Sequence, residues 1–457
     1  METISFGTDG WRATLEEFTS PRVRAVGQAA ASYLRDEGRS GPIAVGYDAR
    51  GSSRGFAEDL ARVLCANGFD VLMTERDRPT PLFAHAIVER DLSGALVITA
   101  SHNPPEYNGV KFIPEDGAPA LPAVMDAIAD RLAAPDPLPE SEHGSVREVD
   151  VRSPHAEAAR SLVDADLEDL SIAYDAMHGS GRGTTDALLE EAGATVTRRR
   201  CAQRTDFGGS PPEPAPEYLE GLIEAVTGGH ADLGIANDGD ADRLAVVTPE
   251  RGYLDENLFF AALYEYLLES DSGPAVRTVS TTYLIDRVAE AHGEDVVEVP
   301  VGFKHVADAM AQQDALVGGE ESGGFTVRGH VREKDGVLMA LLAAAMHAEE
   351  PLDDRVDRLL ADHGTVVQDK TSVACPDERK AGVLADLGGA IPDAVAGTAV
   401  EDVNTADGFK LLLEDGSWLL VRPSGTEPVL RVYGEAETDE RVGQLLEAGT
   451  DLLEALV

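Results

Sequence analysis

Short apolar runs recur along this chain and alternate with longer Ala-, Leu- and Glu-rich stretches. Residues 43–47, 95–99, 172–174, 233–236, 276–281 and 315–317 read as strands, and 56–66, 121–133, 256–268 and 338–346 read as helices. That alternation predicts α/β units on parallel or mixed sheets. Polar stretches at 135–155, near 250–253 and at 362–370 mark breaks, so four domains are expected: 1–150, 151–250, 251–365 and 366–457. Beyond the last break the pattern changes. Residues 408–414, the turn Asp415-Gly416 and residues 417–422 form a strong hairpin signal, and 428–435 reads as a further strand. A helical stretch at 441–456 closes the chain, so the last domain is expected to be a small antiparallel sheet with helices. A faint internal echo links residues 43–52 to 171–180: each is a strand, then Tyr-Asp-Ala, then a Gly/Ser turn.

Composition changes this picture mainly through charge. The 457 residues are 43% hydrophobic, but 83 acidic residues stand against 38 basic ones, a net charge of −45. The acidity is spread along the chain, which on a folded protein is a solvation device tolerable where salt screens self-repulsion. The expectation is a protein of a salt-rich cytoplasm. Nucleic acid is excluded as a partner, since its phosphates would be repelled. No run approaches the ~20 apolar residues of a membrane span, so no membrane partner is expected. The start of the chain lacks the basic and apolar regions of a signal peptide. Three unpatterned cysteines fit reduced thiols. Only six lysines occur, and Lys111, Lys304 and Lys334 lie beside or shortly after candidate site loops.

Four loops carry candidate chemistry. Thr99-Ala100-Ser101-His102-Asn103-Pro104 places a serine hydroxyl at the end of a buried-type strand, at the sheet edge where α/β folds bind ligands. A serine there is a candidate to carry a covalent group. Asp238-Gly239-Asp240-Ala241-Asp242-Arg243 follows another strand, and its alternate carboxylates suit a hard divalent cation with oxygen ligands. It is not an EF-hand, since the sixth position is Arg243 and the twelfth Pro249. A solvated acidic turn is the plain alternative. Gly318-Gly319-Glu320-Glu321-Ser322-Gly323-Gly324 offers donors and acceptors to sugar hydroxyls. Arg422-Pro423-Ser424-Gly425-Thr426-Glu427-Pro428 makes an anion cradle. Gly-plus-cation loops also occur at residues 6–12 and 301–305.

These loops, in this order and spanning residues 6 to 431, resemble the α-D-phosphohexomutase superfamily, the phosphoglucomutase and phosphomannomutase enzymes, in a haloarchaeal-like acidic form. The resemblance implies three α/β/α domains and a fourth with an antiparallel sheet, around a central cleft. It implies a phosphoserine at Ser101, with Mg²⁺ held by Asp238, Asp240, Asp242 and the phosphate on Ser101, and Arg243 touching that phosphate. Glu320 and Ser322 are expected to hold sugar hydroxyls, and Arg422, Ser424, Gly425 and Thr426 the non-reacting phosphate. Arg12 and Lys304 fall at substrate-site cation positions, and Lys111 at that of an acid/base or charge-stabilising lysine. Where many bacterial members end the sugar loop with His, this chain has Gly324, leaving His102, Lys111 and His330 as candidate proton acceptors, Lys111 preferred.

The implied reaction interconverts hexose 1- and 6-phosphates through a hexose 1,6-bisphosphate that turns over in the cleft, with the fourth domain hinged. Glucose is the expected sugar, with mannose close behind. Glucosamine is an alternative, ranked behind glucose because phosphoglucosamine mutases commonly have Gln where this chain has Glu321. An Mg²⁺-dependent phosphatase and a non-catalytic sugar-phosphate sensor are rival readings. The protein is expected to be a monomer or weak homodimer whose partners are hexose phosphates.

Overall fold

The computed structural model describes residues 4–7, 10–425 and 427–457. Four sheets follow one another along the chain. In the first, Ile43–Tyr47 runs parallel to Val71–Met73 and to Ala95–Ile98, and Val71–Met73 to Val146–Glu148. Tyr107–Ile113 then pairs antiparallel with Ala95–Ile98, and Trp11–Thr14 antiparallel with Tyr107–Ile113. The second repeats this plan. Ser171–Asp175 is parallel to Thr195–Arg199 and Leu233–Asn237, and Leu244–Thr248 returns antiparallel beside Leu233–Asn237. In the third, Ala275–Thr278 is parallel to Val296–Val299 and Val317–Gly319, with Phe325–Val327 antiparallel at the edge. The fourth is wholly antiparallel, six strands from Val367–Ala374 to Ala394–Val395.

The three mixed sheets share a device that matters for the site. In each, a buried parallel strand is followed at its carboxyl end by a tight loop and an antiparallel partner. The serine loop joins Ala95–Ile98 to Tyr107–Ile113, the aspartate loop joins Leu233–Asn237 to Leu244–Thr248, and the Glu320 loop joins Val317–Gly319 to Phe325–Val327. Buried strands of Val, Ile, Leu and Ala fix these loops rigidly at the sheet edge, where open α/β sheets bind ligands.

Several elements end sooner or start later than their apolar runs suggest. The run at 276–281 leaves the sheet at Thr278, because Thr281 N donates to Thr278 O and turns the chain. The run at 315–317 is a buried lead-in whose strand is Val317–Gly319. The helix expected over 121–133 is Pro122–Ala129, whereas Glu256–Leu268 forms as read.

Apolar packing divides the molecule unevenly. One continuous core runs from Ala44 to Leu359 through the first three sheets and takes in the helix Gly336–Glu349, buried on every side from Gly336 to Met346. The fourth sheet has its own core under the helix Asp439–Glu454. It meets the third domain through a small patch of Val279, Trp418, Leu420 and Tyr433. Lys410 sits at that junction, 2.7 Å from Glu298 Oε2 and over the rings of Tyr283 and Trp418. Among the described residues, no helix is long and apolar enough to cross a membrane.

Candidate active site

Ser101 and the aspartate loop meet across the boundary between the first two sheets. Ser101 Oγ donates to Asp238 Oδ2 at 2.6 Å and stands 3.3 Å from His102 Nδ1. Ser101 adopts φ 50°, a left-handed conformation that costs a non-glycine residue about 1 kcal/mol or more and clusters at functional turns. The turn is held from below by Arg50. Its guanidinium donates to the carbonyls of Ser101 (2.8 Å), Asn103 (2.7 Å), Pro104 (2.6 Å) and Tyr107 (3.1 Å), while Asp48 Oδ2 accepts from its Nε at 2.9 Å. Gly239 allows the two loops to approach, since a Cβ there would lie 2.5 Å from Ser101 O.

Asp238, Asp240 and Asp242 are all buried, with ligand oxygens within 4.8 Å of one another. Lys111 Nζ donates to Asp240 Oδ2 (3.1 Å) and Asp242 Oδ2 (2.8 Å), Thr80 Oγ1 donates to Asp240 Oδ2 (2.7 Å), and Lys334 Nζ lies 3.4 Å from Asp242 Oδ2. Burial and the neighbouring Asp242 and Asp240 push Asp238 well above the usual carboxylate range. Burial acts the same way on Asp240, but Lys111 outweighs it and holds that carboxyl low. Among the described residues, Asp240 Oδ1 and Asp242 Oδ1 have no hydrogen-bond partner and are buried. Three converging carboxylates with two unsatisfied oxygens fit a hard divalent cation such as Mg²⁺.

Cations surround this centre. Arg243 is half-buried, its Nε without a hydrogen-bond partner among the described residues; burial disfavours its charge, but Asp242 and Asp238 more than compensate. Arg12 Nη1 donates to Asn103 Oδ1 at 3.1 Å. Burial, then Arg243 and Arg12, hold His102 well below the ordinary histidine range, so its ring is a neutral base.

The loop carrying Glu320 and Ser322 arrives from the third sheet. Glu320 Oε1 accepts from Gly302 N at 2.9 Å, tying this loop to the turn that presents the half-buried Lys304. Burial raises Glu320, which feels Lys334 and Arg243. Ser322 is half-buried on the same loop. A Cβ on Gly324 would lie 2.4 Å from Lys334 Cδ, so the Lys334 stem fills the space beside that glycine.

From the fourth domain, Arg422 Nε donates to Asp407 Oδ2 at 2.8 Å, and the same oxygen accepts from Val301 N at 3.2 Å. Asp407 thus couples the Lys304 turn to Arg422, which also lies within electrostatic reach of Glu321. Ser424 Oγ accepts from Glu427 N, Gly425 is exposed, and Lys380 Nζ braces the loop through the carbonyls of Ser424 and Glu427. Thr426 lies outside the described residues.

The fold therefore gathers Ser101, His102, Lys111, the three aspartates, Arg243 and Arg12 into one centre. Glu320, Ser322 and Lys304 stand on the facing third domain. His330 is elsewhere, hydrogen-bonded to Asp335. Sequence reasoning did not assign Arg50, Thr80, Asp407 or Lys380, and gave Lys334 no role. The Tyr-Asp-Ala echo ends just before Arg50, which stands where the second copy has Met177, so only the scarcity of lysine was a signal, for the two lysines; Arg50, Thr80 and Asp407 had none.

Sequence profiles of phosphoglucomutase/phosphomannomutase match in order: α/β/α domain I over residues 3–138, domain II over 154–252, domain III over 255–363 and the C-terminal domain over 371–451. A phosphoglucomutase/phosphomannomutase of Thermococcus kodakarensis is 33% identical over 98% of both chains. A protein of Methanopyrus kandleri named a probable phosphoglucosamine mutase is also 33% identical, over 99% of this chain and 98% of its own. A crystal structure of a phosphoglucomutase/phosphomannomutase family protein from Burkholderia thailandensis superposes with TM-score 0.84 at 24% identity, covering 99% and 98% of the two chains, a likeness of fold. With all four domains matched and the chain covered end to end, this protein belongs to the phosphoglucomutase/phosphomannomutase family of the α-D-phosphohexomutase superfamily and is an enzyme of that isomerase family.

Proposed function

We propose that this enzyme moves a phosphoryl group reversibly between the 1- and 6-hydroxyls of a hexose, glucose first and mannose next, with Ser101 as the carrier. One observation supports this above the rest: Ser101 Oγ lies 2.6 Å from Asp238 Oδ2, where loops of two domains meet among buried carboxylates and cations. Asp238, Asp240 and Asp242, with the phosphate on Ser101, would hold Mg²⁺, which when bound neutralises charge on the transferring group. Arg243 and Lys111 add fixed positive charge beside the same oxygens, the main contribution a protein makes to phosphoryl transfer.

In the forward direction the phosphoserine ester bond breaks as a new ester forms to the free sugar hydroxyl. The hydroxyl proton leaves to a base, Lys111 after release of its own proton or the neutral His102 ring, while Ser101 Oγ leaves with the bonding electron pair and takes up a proton, ending as the hydroxyl that donates to Asp238 Oδ2. The bisphosphate then turns, and its other phosphate returns to Ser101 Oγ. Such a turn needs a second phosphate position, which Arg422, Ser424, Gly425 and Thr426 supply, and Glu320 and Ser322 hold the sugar hydroxyls between. The separate core of the fourth domain suits a hinge that loosens during the turn.

The relatives' names leave glucosamine open. A coupled assay in high salt with Mg²⁺ and glucose, mannose or glucosamine 1-phosphate decides among them. Intact-mass analysis of the active enzyme should show one added phosphate, and Ser101→Ala should fold, stay unphosphorylated and lose isomerisation. Release of inorganic phosphate without isomer formation would turn the reading to a phosphatase; wild-type turnover by Ser101→Ala would refute it.

A further inference from the structure

A second cluster of metal-binding groups is buried where the first three domains meet. His85 lies on the helix Thr80–Arg90 and His155 on the helix Arg152–Leu162, while His330 and Asp335 lie just before the helix Gly336–Glu349. His155 Nε2 and His330 Nε2 stand 2.6 and 2.7 Å from one oxygen, Asp335 Oδ2. The other oxygen, Oδ1, accepts from Val337 N and Leu338 N at 2.9 and 2.8 Å, which fixes the carboxylate and aims Oδ2 at the rings. The ring centroids of His85, His155 and His330 are 5.4 to 6.0 Å apart. His85 Nδ1 is buried with no hydrogen-bond partner among the described residues.

We propose that His155, His330 and Asp335 form a binding site for a divalent transition metal of the Zn²⁺ class, with His85 beside its fourth position. The ligand atoms of these three residues all lie within 4.8 Å of one another. An ion about 2.0–2.2 Å from each of its ligands holds them roughly 3.5 Å apart, so both imidazoles would draw back about 0.8 Å from Asp335 Oδ2 and exchange their hydrogen bonds for bonds to the ion. Imidazoles radiating from such an ion have centroids about 5 Å apart, close to the spacing found. Two imidazole nitrogens and one carboxylate select Zn²⁺, Co²⁺ or Ni²⁺ over Mg²⁺, which prefers oxygen and water.

The ion would brace the phosphoryl-transfer centre from behind. The helix bearing His85 begins at Thr80, which donates to Asp240, and Lys334, next to Asp335, lies 3.4 Å from Asp242. It would therefore lock three domains together while leaving the fourth to hinge. This site stands whatever sugar the enzyme takes.

The test uses full-length protein saturated with Mg²⁺, so that the aspartate loop is occupied, and titrated with Co²⁺. Expected is one Co²⁺ per chain with the intense visible bands of four-coordinate nitrogen and oxygen ligation, lost in both His155→Gln and His330→Asn. A six-coordinate all-oxygen site gives only faint bands. Absence of the intense bands, or their survival in both variants, would overturn the proposal. Should the variants not fold, X-ray absorption on the Zn²⁺-loaded parent protein decides: two or three imidazole ligands are expected, and none overturns the site.

Discussion

Lys111 Nζ lies 2.8 Å from Asp242 Oδ2 and 3.1 Å from Asp240 Oδ2, with all three side chains almost wholly buried. One ammonium thus faces two of the three carboxylates that would hold Mg²⁺. Removing one partner of a buried pair leaves uncompensated charge, a loss of about 3–5 kcal/mol. Lys111→Met should be destabilised by that order in metal-free buffer, and Mg²⁺ should recover part of the loss because a second cation takes over the neutralisation. Turnover should still fall about 100-fold, since the fixed charge beside the transferring group is gone. Urea unfolding with and without Mg²⁺, together with initial rates, checks both. A variant as stable as the parent, with no added response to Mg²⁺, contradicts this account.

Lys334 occupies the room beside Gly324, where a side chain would collide with its stem. Gly324 has no left-handed strain, and the three atoms nearest to a Cβ there all belong to Lys334. Gly324→His alone should displace Lys334 and lower turnover. In Lys334→Ala the cavity opens, and adding Gly324→His should restore part of the activity that Lys334→Ala loses. Equal activity of the single Lys334→Ala variant and the double variant would show that this space is not used for charge or proton exchange.

Lys410 links pH to the junction of the third and fourth domains. Burial, then the nearby Arg277, lowers it to about 8 despite Glu298. Below pH 8 the folded chain holds this buried charge at full cost. From there to the ordinary lysine value of 10.5 the unfolded chain binds the extra proton, so this group's contribution to stability rises with pH, by up to about 1.4 kcal/mol per unit. The difference in unfolding free energy between the parent protein and Lys410→Met should therefore shift in the parent's favour as pH rises through this range. A constant difference sinks the assignment.

Net charge makes a prediction of its own. At −45, self-repulsion opposes the compact state, and salt near 1 M shortens the screening length to about 3 Å. The denaturation midpoint should climb steeply with KCl and flatten at molar concentrations, and activity should follow. A midpoint indifferent to KCl would mean the acidic surface is already compensated by its ion pairs.

The sequence alone determined the parts of this protein that are local. Apolar runs such as 233–236 become strands because burial on both faces needs nothing but a short block of Ile, Leu and Ala. The serine and aspartate loops were legible because spacing and Gly or Pro turns force Ser101 and Asp238, Asp240 and Asp242 to the ends of such strands. Where a strand stops was less legible: the run at 276–281 leaves the sheet at Thr278 because a turn hydrogen bond competes with the ladder. Only the tertiary structure decided what depends on contacts distant in sequence. The sequence separations of 137 from Ser101 to Asp238 and 180 from His155 to Asp335 carry no periodicity that reports their contact. Arg50 reads as one more surface cation until folding brings the carbonyls of the serine loop around it. Charge neutralisation is a sum over whatever the fold brings near, so the state of Asp238, the neutrality of His102 and the packing of Lys334 against Gly324 follow from three-dimensional placement and not from order along the chain.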